Sequence, residues 1–333
     1  MTTTSIEWCA GDDGTPGKSW NCLRGCSQVS PGCTNCYAQR QAARFSGPGL
    51  PFEGLVRKTP TGPRWTGVVN TVAGKLADPL RWRDPCRVFV ASMSDPFHDD
   101  VPNEFIAAMF GVMAACPRHT FILLTKRTER ALEWFAWIRD QGEDLHASVG
   151  ETPPSGSPIP AACALLATAP ARLPPGAFNT AAHAPWPLPN VWLLASAEDQ
   201  PTLEQRVGHL LACPAAVHGI SYEPALGPVD FTRIKIVDPK PPHGPGVWLD
   251  ALRGLVIGPD DVLPNRISWV IVGSESGPGA RPAEIDWFRS VAEQCRAADV
   301  AWFAKQMHVD GKLCKDVERF PEDLRTREWP HGR

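Results

Sequence analysis

Residues 87–95 read RVFVASMSD, a run rich in β-branched and aromatic residues that ends in serine and aspartate. The same pattern returns in TFILLTKR at 120–127 and in WVIVGSES at 269–276. Continuous apolar strands of this kind are buried on both faces, as in a parallel sheet covered by helices. The three stretches therefore predict an α/β protein whose strands end in polar side chains.

Short apolar runs alternate with helix-like segments along most of the chain. The predicted strands are Ile6–Trp8, Val68–Val72, Arg87–Ser92, Thr120–Thr125, Val191–Ala197, Val217–Tyr222, Trp269–Gly273 and Val300–Lys305. Apolar residues at three- and four-residue spacing predict helices at Asn103–Cys116, Glu129–Gln141 and Ile285–Ala298. Seven or eight β/α units with right-handed crossovers favour a (β/α) barrel, complete or partly open, over a doubly wound sheet.

The predicted domain organisation is one barrel domain over residues 1–314, followed by a peripheral tail at 315–333. Two Pro-rich stretches, at 151–189 and 238–264, interrupt the alternation and are predicted to be insertions that act either as lids or as surface decoration. A cysteine loop at 22–37 follows the first predicted strand and precedes the helix-like YAQRQAARF, which places it at the barrel mouth.

Composition limits the partners that the chain can have. A formal net charge of −3 over 333 residues gives no general attraction to nucleic acid, so any such contact requires a local basic patch. The N-terminal MTTTSIEW has neither a basic nor an apolar signal region, and no apolar run is long enough to span a bilayer. The sequence predicts a cytoplasmic protein without a membrane contact.

Three cysteines, Cys26, Cys33 and Cys36, lie within eleven residues in the string GCSQVSPGCTNCYA. A Cys-x-x-Cys pair folds two sulfurs onto one ion or cluster, and the turn at 30–32 brings the third back to the same point. Three thiolates leave one coordination position open. In a zinc site that position activates water, and in a four-iron cluster it takes a substrate or cofactor.

Cys22 complicates this interpretation, because it lies four residues before Cys26 and can act as a fourth ligand that closes a structural zinc site. Structural zinc sites usually separate their ligand pairs by a dozen residues or more, which is longer than the gap here. Buried thiols without a metal are the third interpretation. The sequence leaves an iron–sulfur cluster, structural zinc and buried thiols open.

Polar side chains follow nearly every predicted strand, and the carboxyl ends of barrel strands line the active-site mouth. The predicted binding residues at these ends are Ser92, Ser94, Asp95, Lys126, Glu198, Glu223, Ser274 and Glu275. His98, Lys305 and Gln306 are the predicted catalytic residues. The alternatives are that Asp100 caps the following helix and that Lys305 forms a structural ion pair with a glutamate.

The ordered motifs SIEW, GC-x6-C-x2-CYA, SMSDPFH-x-DVP, LLTKR, NVWLLASAEDQ, YEPALGPVD, WVIVGSESGPGARP and WFAKQ run from residue 5 to residue 306. In that order they resemble the phage-associated three-cysteine-motif protein family, which is also found in bacterial genomes. The family's cysteine motif and barrel pattern are in turn similar to those of radical S-adenosylmethionine enzymes, with spore photoproduct lyase among the relatives.

This resemblance implies that Cys26, Cys33 and Cys36 bind three irons of a [4Fe–4S] cluster and that the fourth iron binds S-adenosylmethionine. Tyr37 would supply the aromatic side chain that usually adjoins the last cysteine. The resemblance also implies an electron donor such as a ferredoxin or flavodoxin, a partner protein encoded nearby and a nucleic-acid or nucleotide substrate. Reductive cleavage of S-adenosylmethionine to a 5′-deoxyadenosyl radical, as in a lyase, is the expected activity.

Two other functions stay open. The first is a non-redox binding protein in which zinc or a cluster holds the N-terminal loop in place. The second is a zinc-dependent hydrolase with Glu223 or Glu275 as its base, although no HExxH motif is present.

Overall fold

The computed structural model describes residues 3–149, 180–181, 183–236, 247–257 and 262–330. The first predicted insertion, at 151–189, lies outside the described residues except for 180–181 and 183–189. The second, at 238–264, is described only in part, at 247–257 and 262–264. The lid interpretation of both insertions therefore stays a prediction.

The regular elements alternate as the sequence predicts. In chain order the strands are β1 (Lys18–Trp20), β2 (Leu23–Arg24), β3 (Val56–Thr59), β4 (Gly62–Trp65), β5 (Asn70–Thr71), β6 (Arg87–Val90), β7 (Thr120–Thr125), β8 (Val191–Ala197), β9 (Val217–Tyr222), β10 (Ile234–Lys235), β11 (Trp248–Asp250), β12 (Leu255–Ile257), β13 (Ile267–Gly273), β14 (Ala301–Val309) and β15 (Lys312–Cys314). The α-helices are α1 (Tyr37–Ala43), α2 (Asn103–Ala114), α3 (Thr128–Val149), α4 (Gln200–Ala212) and α5 (Ile285–Ala297).

Internal contacts divide the chain into two compact units. The first unit comprises Met1–Gln28, Ala38–Trp192 and Cys213–Ala216. The second unit comprises Val29–Tyr37, Leu193–Ala212 and Val217–Arg333. Cys26 thus belongs to the first unit, whereas Cys33 and Cys36 belong to the second.

The first unit is built on the parallel strands β1, β6 and β7, in which Trp20 pairs with Val90 and Val90 with Leu123. The side chains of these strands are buried on both faces, as expected for a parallel sheet under helices. Two antiparallel pairs, β2 with β5 and β3 with β4, lie between β1 and β6 in the sequence. Nine of the twelve residues of helix α2 are buried, and the helix belongs to the same unit.

The second unit contains strands in the order β8-β9-β13-β14-β15. Strands β9, β13 and β14 are parallel, and β15 returns antiparallel to β14. Strands β10, β11 and β12 form a separate antiparallel sheet, in which β11 and β12 come from the second predicted insertion. The predicted barrel remains a prediction.

The strand predictions at Thr120–Thr125, Val191–Ala197 and Val217–Tyr222 are confirmed to the residue. The predicted strand at Ile6–Trp8 is wrong, because Glu7–Cys9 forms a 3-10 helix. The first parallel strand is β1, which the sequence analysis missed because its three residues carry one large apolar side chain. The predicted parallel strand at Val68–Val72 is also wrong, since only two of its residues form a strand, antiparallel to β2.

The strand predicted at Val300–Lys305 continues to Val309 as β14, because β15 folds back and pairs with its last residues. Lys305 and Gln306 therefore lie inside a strand rather than after its end. The tail predicted to be peripheral contributes the buried side chains of Phe320 and Leu324.

The three helix predictions are confirmed, and α2 and α5 begin at the predicted residues. The end predicted for α3 at Gln141 is wrong, because the helix runs on to Val149. The first seven residues of the helix-like stretch YAQRQAARF form α1. Among the described helices, none combines the length and the apolar character needed to cross a membrane.

Candidate functional site

The chain leading to Cys26 is held by the turn that follows β6. Ala91, the first residue after that strand, has a φ of 55°, a left-handed conformation that is uncommon outside glycine. The turn presents Ser94, whose hydroxyl donates to the carbonyl of Gly25 at 2.6 Å, and Ser92, whose hydroxyl donates to Asn21 Oδ1 at 3.1 Å. The two predicted cofactor contacts thus bond the backbone and side chains just before Cys26.

Asp95 and Arg127 form a buried ion pair behind Cys26, with Arg127 Nη1 at 3.1 Å from Asp95 Oδ2. The same carboxylate accepts two further hydrogen bonds. One comes from Thr125 Oγ1 at 2.7 Å and the other from the backbone N–H of Lys126 at 3.0 Å. Arg127 Nη1 also lies 3.8 Å from Cys26 Sγ. Burial by itself lowers the pKa of Arg127, but Asp95 and Cys26 outweigh it and raise that pKa. The guanidinium is therefore a permanent positive charge beside a cysteine sulfur.

His98 belongs to the same hydrogen-bond network. The backbone N–H of Asp100 donates to His98 Nδ1 at 3.2 Å, so the ring hydrogen is assigned to Nε2, which donates to Ser27 Oγ at 2.8 Å. Burial, followed by the charge of Arg127, lowers the pKa of His98. In this tautomer His98 is a neutral donor to Ser27, and its predicted catalytic role stays a prediction. Asp100 does not cap α2, because the N-cap residue is Pro102, without a side-chain bond.

In the second unit the turn before Cys33 rests on Glu198, directly after β8. The hydroxyl of Ser30 donates to Glu198 Oε1 at 2.8 Å, and Arg206 Nη1 on α4 lies 3.0 Å from Glu198 Oε2. Glu198 and Arg206 are both buried, with side-chain exposures of 0% and 3%. A Cβ added to Gly32 would lie 2.7 Å from Glu198 Cδ. The turn therefore requires glycine at this position because of the carboxylate beneath it.

A second carboxylate, Glu275 after β13, holds the other side of the same turn. Asn35, between the two cysteines, donates to Glu275 Oε2 at 2.9 Å and to the carbonyl of Gly279 at 3.1 Å. Arg281 binds both oxygens of Glu275 and also donates to the Pro31 carbonyl at 2.9 Å. Burial alone would raise the pKa of Glu275, but the hydrogen bonds from Arg281 and Asn35 outweigh it and lower that pKa.

Glu223 forms a third polar group, at the end of β9. Lys305 Nζ lies 2.6 and 2.7 Å from its two oxygens, and Gln306 Nε2 donates to Oε1 at 3.0 Å and to the carbonyl of Ser274 at 2.8 Å. The alternative that Lys305 pairs with a glutamate is therefore confirmed. The two charged side chains keep exposures of 16% and 17%. Within the described residues, Ser274 Oγ is buried without a hydrogen-bond partner.

The cysteines fall into two classes. Cys26, Cys33 and Cys36 are partly exposed, and Tyr37, which follows them, is 41% exposed. Cys9 and Cys22 are buried, and burial raises the pKa of both thiols, that of Cys9 to about 12. In the described part of the chain no three His, Cys, Asp or Glu side chains converge as metal ligands. Cys22 lies in an environment that disfavours the thiolate a metal needs.

Sequence reasoning missed the roles of Ser27, Arg206 and Arg281, and it placed Ser30 and Gly32 in the turn without their contact to Glu198. Arg206 lies two helical turns after Glu198, on the buried face of an amphipathic helix, where a charge requires a partner. That position is the one signal that could have identified it. The roles of Ser30 and Gly32 depend on a residue more than 160 positions away and have no local pattern.

A profile of the family described as "Protein of unknown function (DUF5131)" matches residues 3–329 of the chain. No curated protein and no solved structure matches it.

Proposed function

The chain belongs to the DUF5131 family, and from its own residues we propose that it is an iron–sulfur enzyme of the radical S-adenosylmethionine type. The proposal assigns Cys26, Cys33 and Cys36 as ligands of a [4Fe–4S] cluster. The observation that carries it is the support of the Cys33–Cys36 turn by Glu198 and Glu275, while both thiols stay partly exposed.

The residues present fit such a group in their chemistry. Thiols are the ligands that iron–sulfur clusters take, and the three assigned cysteines are partly exposed, whereas Cys22 is buried. Arg127 beside Cys26 supplies a positive charge that favours the thiolate over the thiol. The support for three ligands is thus the spacing of the thiols together with their surroundings.

Cys26, Cys33 and Cys36 would hold the cluster, which would supply, when reduced, the one electron needed to cleave S-adenosylmethionine into methionine and a 5′-deoxyadenosyl radical. That electron must be replaced by an external donor, for which a small ferredoxin or flavodoxin is the proposed source. We place the reaction in the cytoplasm and retain a partner protein encoded nearby as part of the proposal.

Glu198 and Glu275 act in this proposal as positioning residues, because their carboxylates bind the cysteine turn. Ser92, Ser94, Asp95 and His98 have the same role for the segment that contains Cys26. Lys126 and Tyr37 remain candidates for cofactor contact.

The group of Glu223, Ser274, Lys305 and Gln306 is the proposed contact surface for the cofactor in the second unit. Glu223 offers carboxylate oxygens that can accept from an amino group or from ribose hydroxyls. Lys305 is a cation that suits a carboxylate, and the buried Ser274 hydroxyl can form a further hydrogen bond. Binding would exchange part of the Lys305–Glu223 pair for contacts to the cofactor.

The direct test is to purify the protein without oxygen, reduce it with dithionite and add S-adenosylmethionine. We expect 5′-deoxyadenosine in the wild type and none in Cys36→Ser. A cluster-loaded protein that binds S-adenosylmethionine but forms no 5′-deoxyadenosine would remove the radical chemistry from the proposal. A colourless protein that holds zinc would replace the proposal with a structural or hydrolytic zinc site.

A further inference from the structure

Positive charge is concentrated in one stretch of the first unit, although the whole chain has a net charge of −3. Between residues 38 and 66 the chain has five basic side chains and a single acidic one, Glu53. Glu53 accepts a hydrogen bond from the backbone N–H of Gly49 at 2.7 Å. The stretch includes α1 from its second residue onward and the hairpin of β3 and β4, and we call it the basic hairpin region.

The hairpin places two arginines side by side. Arg57 on β3 is directly opposite Arg64 on β4, and cross-strand partners point to the same face. Trp65, the next residue after Arg64, is buried and pairs with Val56, so it marks the inner face and the two arginines the outer one. Two like charges directly opposite each other destabilise a hairpin. The arrangement is unfavourable unless an anion binds to it.

No acidic side chain neutralises this face in the part of the chain that the structure describes: Arg57 and Arg64 form no ion pair there, and neither does Lys58 on the opposite face of the hairpin. Arg64 instead donates to Thr61 Oγ1 at 3.3 Å, and the Thr59 and Thr61 hydroxyls lie 3.2 Å apart. The face thus combines guanidinium forks with hydroxyl groups, the donors that most often contact phosphate.

The rest of the region is attached firmly to the hairpin. The backbone N–H of Trp65 donates to Gln39 Oε1 of α1 at 2.9 Å, and the rings of Phe52 and Trp65 pack with centroids 6.5 Å apart. Phe45, after the last residue of α1, is 50% exposed, next to the exposed Arg44. An exposed aromatic ring beside arginines is the surface on which an unpaired base stacks.

We propose that the basic hairpin region binds single-stranded nucleic acid, with Arg57 and Arg64 on the phosphates and Phe45 against a base. A repeating phosphate backbone fits several unneutralised cations along one region, and a base fits the aromatic ring. The inference does not depend on the iron–sulfur proposal, because it needs neither the cluster nor S-adenosylmethionine. The alternative is a purely protective role, in which the charged side chains only keep the exposed strands of the hairpin from pairing with strands of other molecules.

The test is fluorescence anisotropy of the full-length protein with labelled single-stranded DNA and RNA oligonucleotides of about 20 nucleotides, over a range of salt concentrations. We expect Arg57→Ala/Arg64→Ala to weaken binding at least tenfold and to reduce the slope of log affinity against log salt by about 1.4, since each phosphate contact contributes about 0.7 for single strands. The matched control Arg83→Ala/Arg139→Ala removes the same charge from exposed positions elsewhere and should change affinity less than twofold.

Phe45→Ala separates stacking from charge: affinity should fall about tenfold while the salt slope stays constant. Tighter binding of RNA than of DNA, or the reverse, would show which of the two nucleic acids the region prefers, and either result supports the proposal. Circular dichroism of each variant confirms that it is folded. Absence of binding to both oligonucleotides at low salt, or equal effects of the hairpin and control variants, would overturn the inference and leave the protective role.

Discussion

Replacement of Gly32 by alanine tests whether the turn before Cys33 is seated on Glu198. A Cβ at this position would lie 2.7 Å from Glu198 Cδ, well inside van der Waals contact. The carboxylate cannot move aside at low cost, because it is buried, ion-paired with Arg206 at 3.0 Å and hydrogen-bonded to Ser30 at 2.8 Å. Either the turn or the ion pair must therefore shift.

The magnitude follows from the two ways in which the clash can be relieved. Forcing an extra methyl group into a packed site costs about 1–3 kcal/mol. Lifting the turn instead breaks the bond from Ser30 to a charged acceptor, which is worth about 1.5–3 kcal/mol. We expect a loss near the upper end, about 3 kcal/mol, which lowers the melting temperature by roughly 6 °C. We also expect Gly32→Ala to bind less iron than the wild type, because Cys33 follows the displaced residue.

The assay is thermal unfolding together with iron content, and the chain offers a matched control. Gly208 lies in α4 of the same unit, and a Cβ there meets no atom within 4 Å. Gly208→Ala should stabilise the protein by about 0.5–1 kcal/mol, because alanine is the better helix former. The two glycine-to-alanine changes are thus expected to have opposite signs.

Measuring Gly32→Ala in a second variant of the protein tests whether Glu198 causes the loss of stability. In Glu198→Ala/Arg206→Met, both charges are removed and space opens beneath the turn, so adding Gly32→Ala should cost less than about 1 kcal/mol by the logic of a mutant cycle. Gly32→Ala with wild-type stability, or with the same cost in both backgrounds, would refute the claim that the turn rests on this carboxylate.

Three further predictions test the neighbouring networks. Glu275→Gln leaves Arg281 without its charged partner and should weaken the turn by about 2 kcal/mol. The loss should be seen as roughly thirtyfold faster hydrogen exchange at residues 31–36. The control is Asp286→Asn, in an exposed pair with Arg289, which should leave this exchange unchanged. Arg127→Met leaves Asp95 as a buried unpaired charge and should cost about 3–5 kcal/mol in urea unfolding, whereas exposed Arg139→Met should cost less than about 0.5 kcal/mol. Burial, helped by Arg118, lowers the pKa of His119 from 6.5 to about 4, so the folded state binds this proton less readily than the unfolded state. The part of the free energy of unfolding that depends on neutral His119 is fully present above about pH 6.5. It should fall by up to about 3 kcal/mol as the pH decreases to 4. In His119→Phe the urea midpoint should depend less on pH, and an unchanged dependence would contradict the assignment.

Much of the secondary structure could be predicted from local pattern. TFILLT and VWLLASA are apolar on both faces and end at a clear polar boundary, so β7 and β8 were predicted to the residue. Ile6–Trp8 failed because three residues carry no periodicity that distinguishes a strand from a 3-10 turn. The length of β14 could not be predicted, because its last residues are strand only through pairing with β15.

The site shows the same division. The cysteine spacing and the polar residues after β6, β8 and β13 are local features, and the sequence identified them. Their partners are not local: Glu198 and Glu275 were predicted to contact a cofactor, and the structure bonds them to the cysteine turn through Ser30 and Asn35. Whether a carboxylate at a strand end binds a ligand or a neighbouring loop depends on how distant segments pack, which no spacing rule contains.

The central claim is that Cys26, Cys33 and Cys36 hold an iron–sulfur cluster without Cys22. Its most direct measurement is the iron and sulfide content of wild type, Cys22→Ser and Cys33→Ser after anaerobic reconstitution. We predict about four irons and an absorbance band near 400 nm in wild type and Cys22→Ser, and less than about one iron in Cys33→Ser. Full iron content in Cys33→Ser, or its loss in Cys22→Ser, would contradict the assignment.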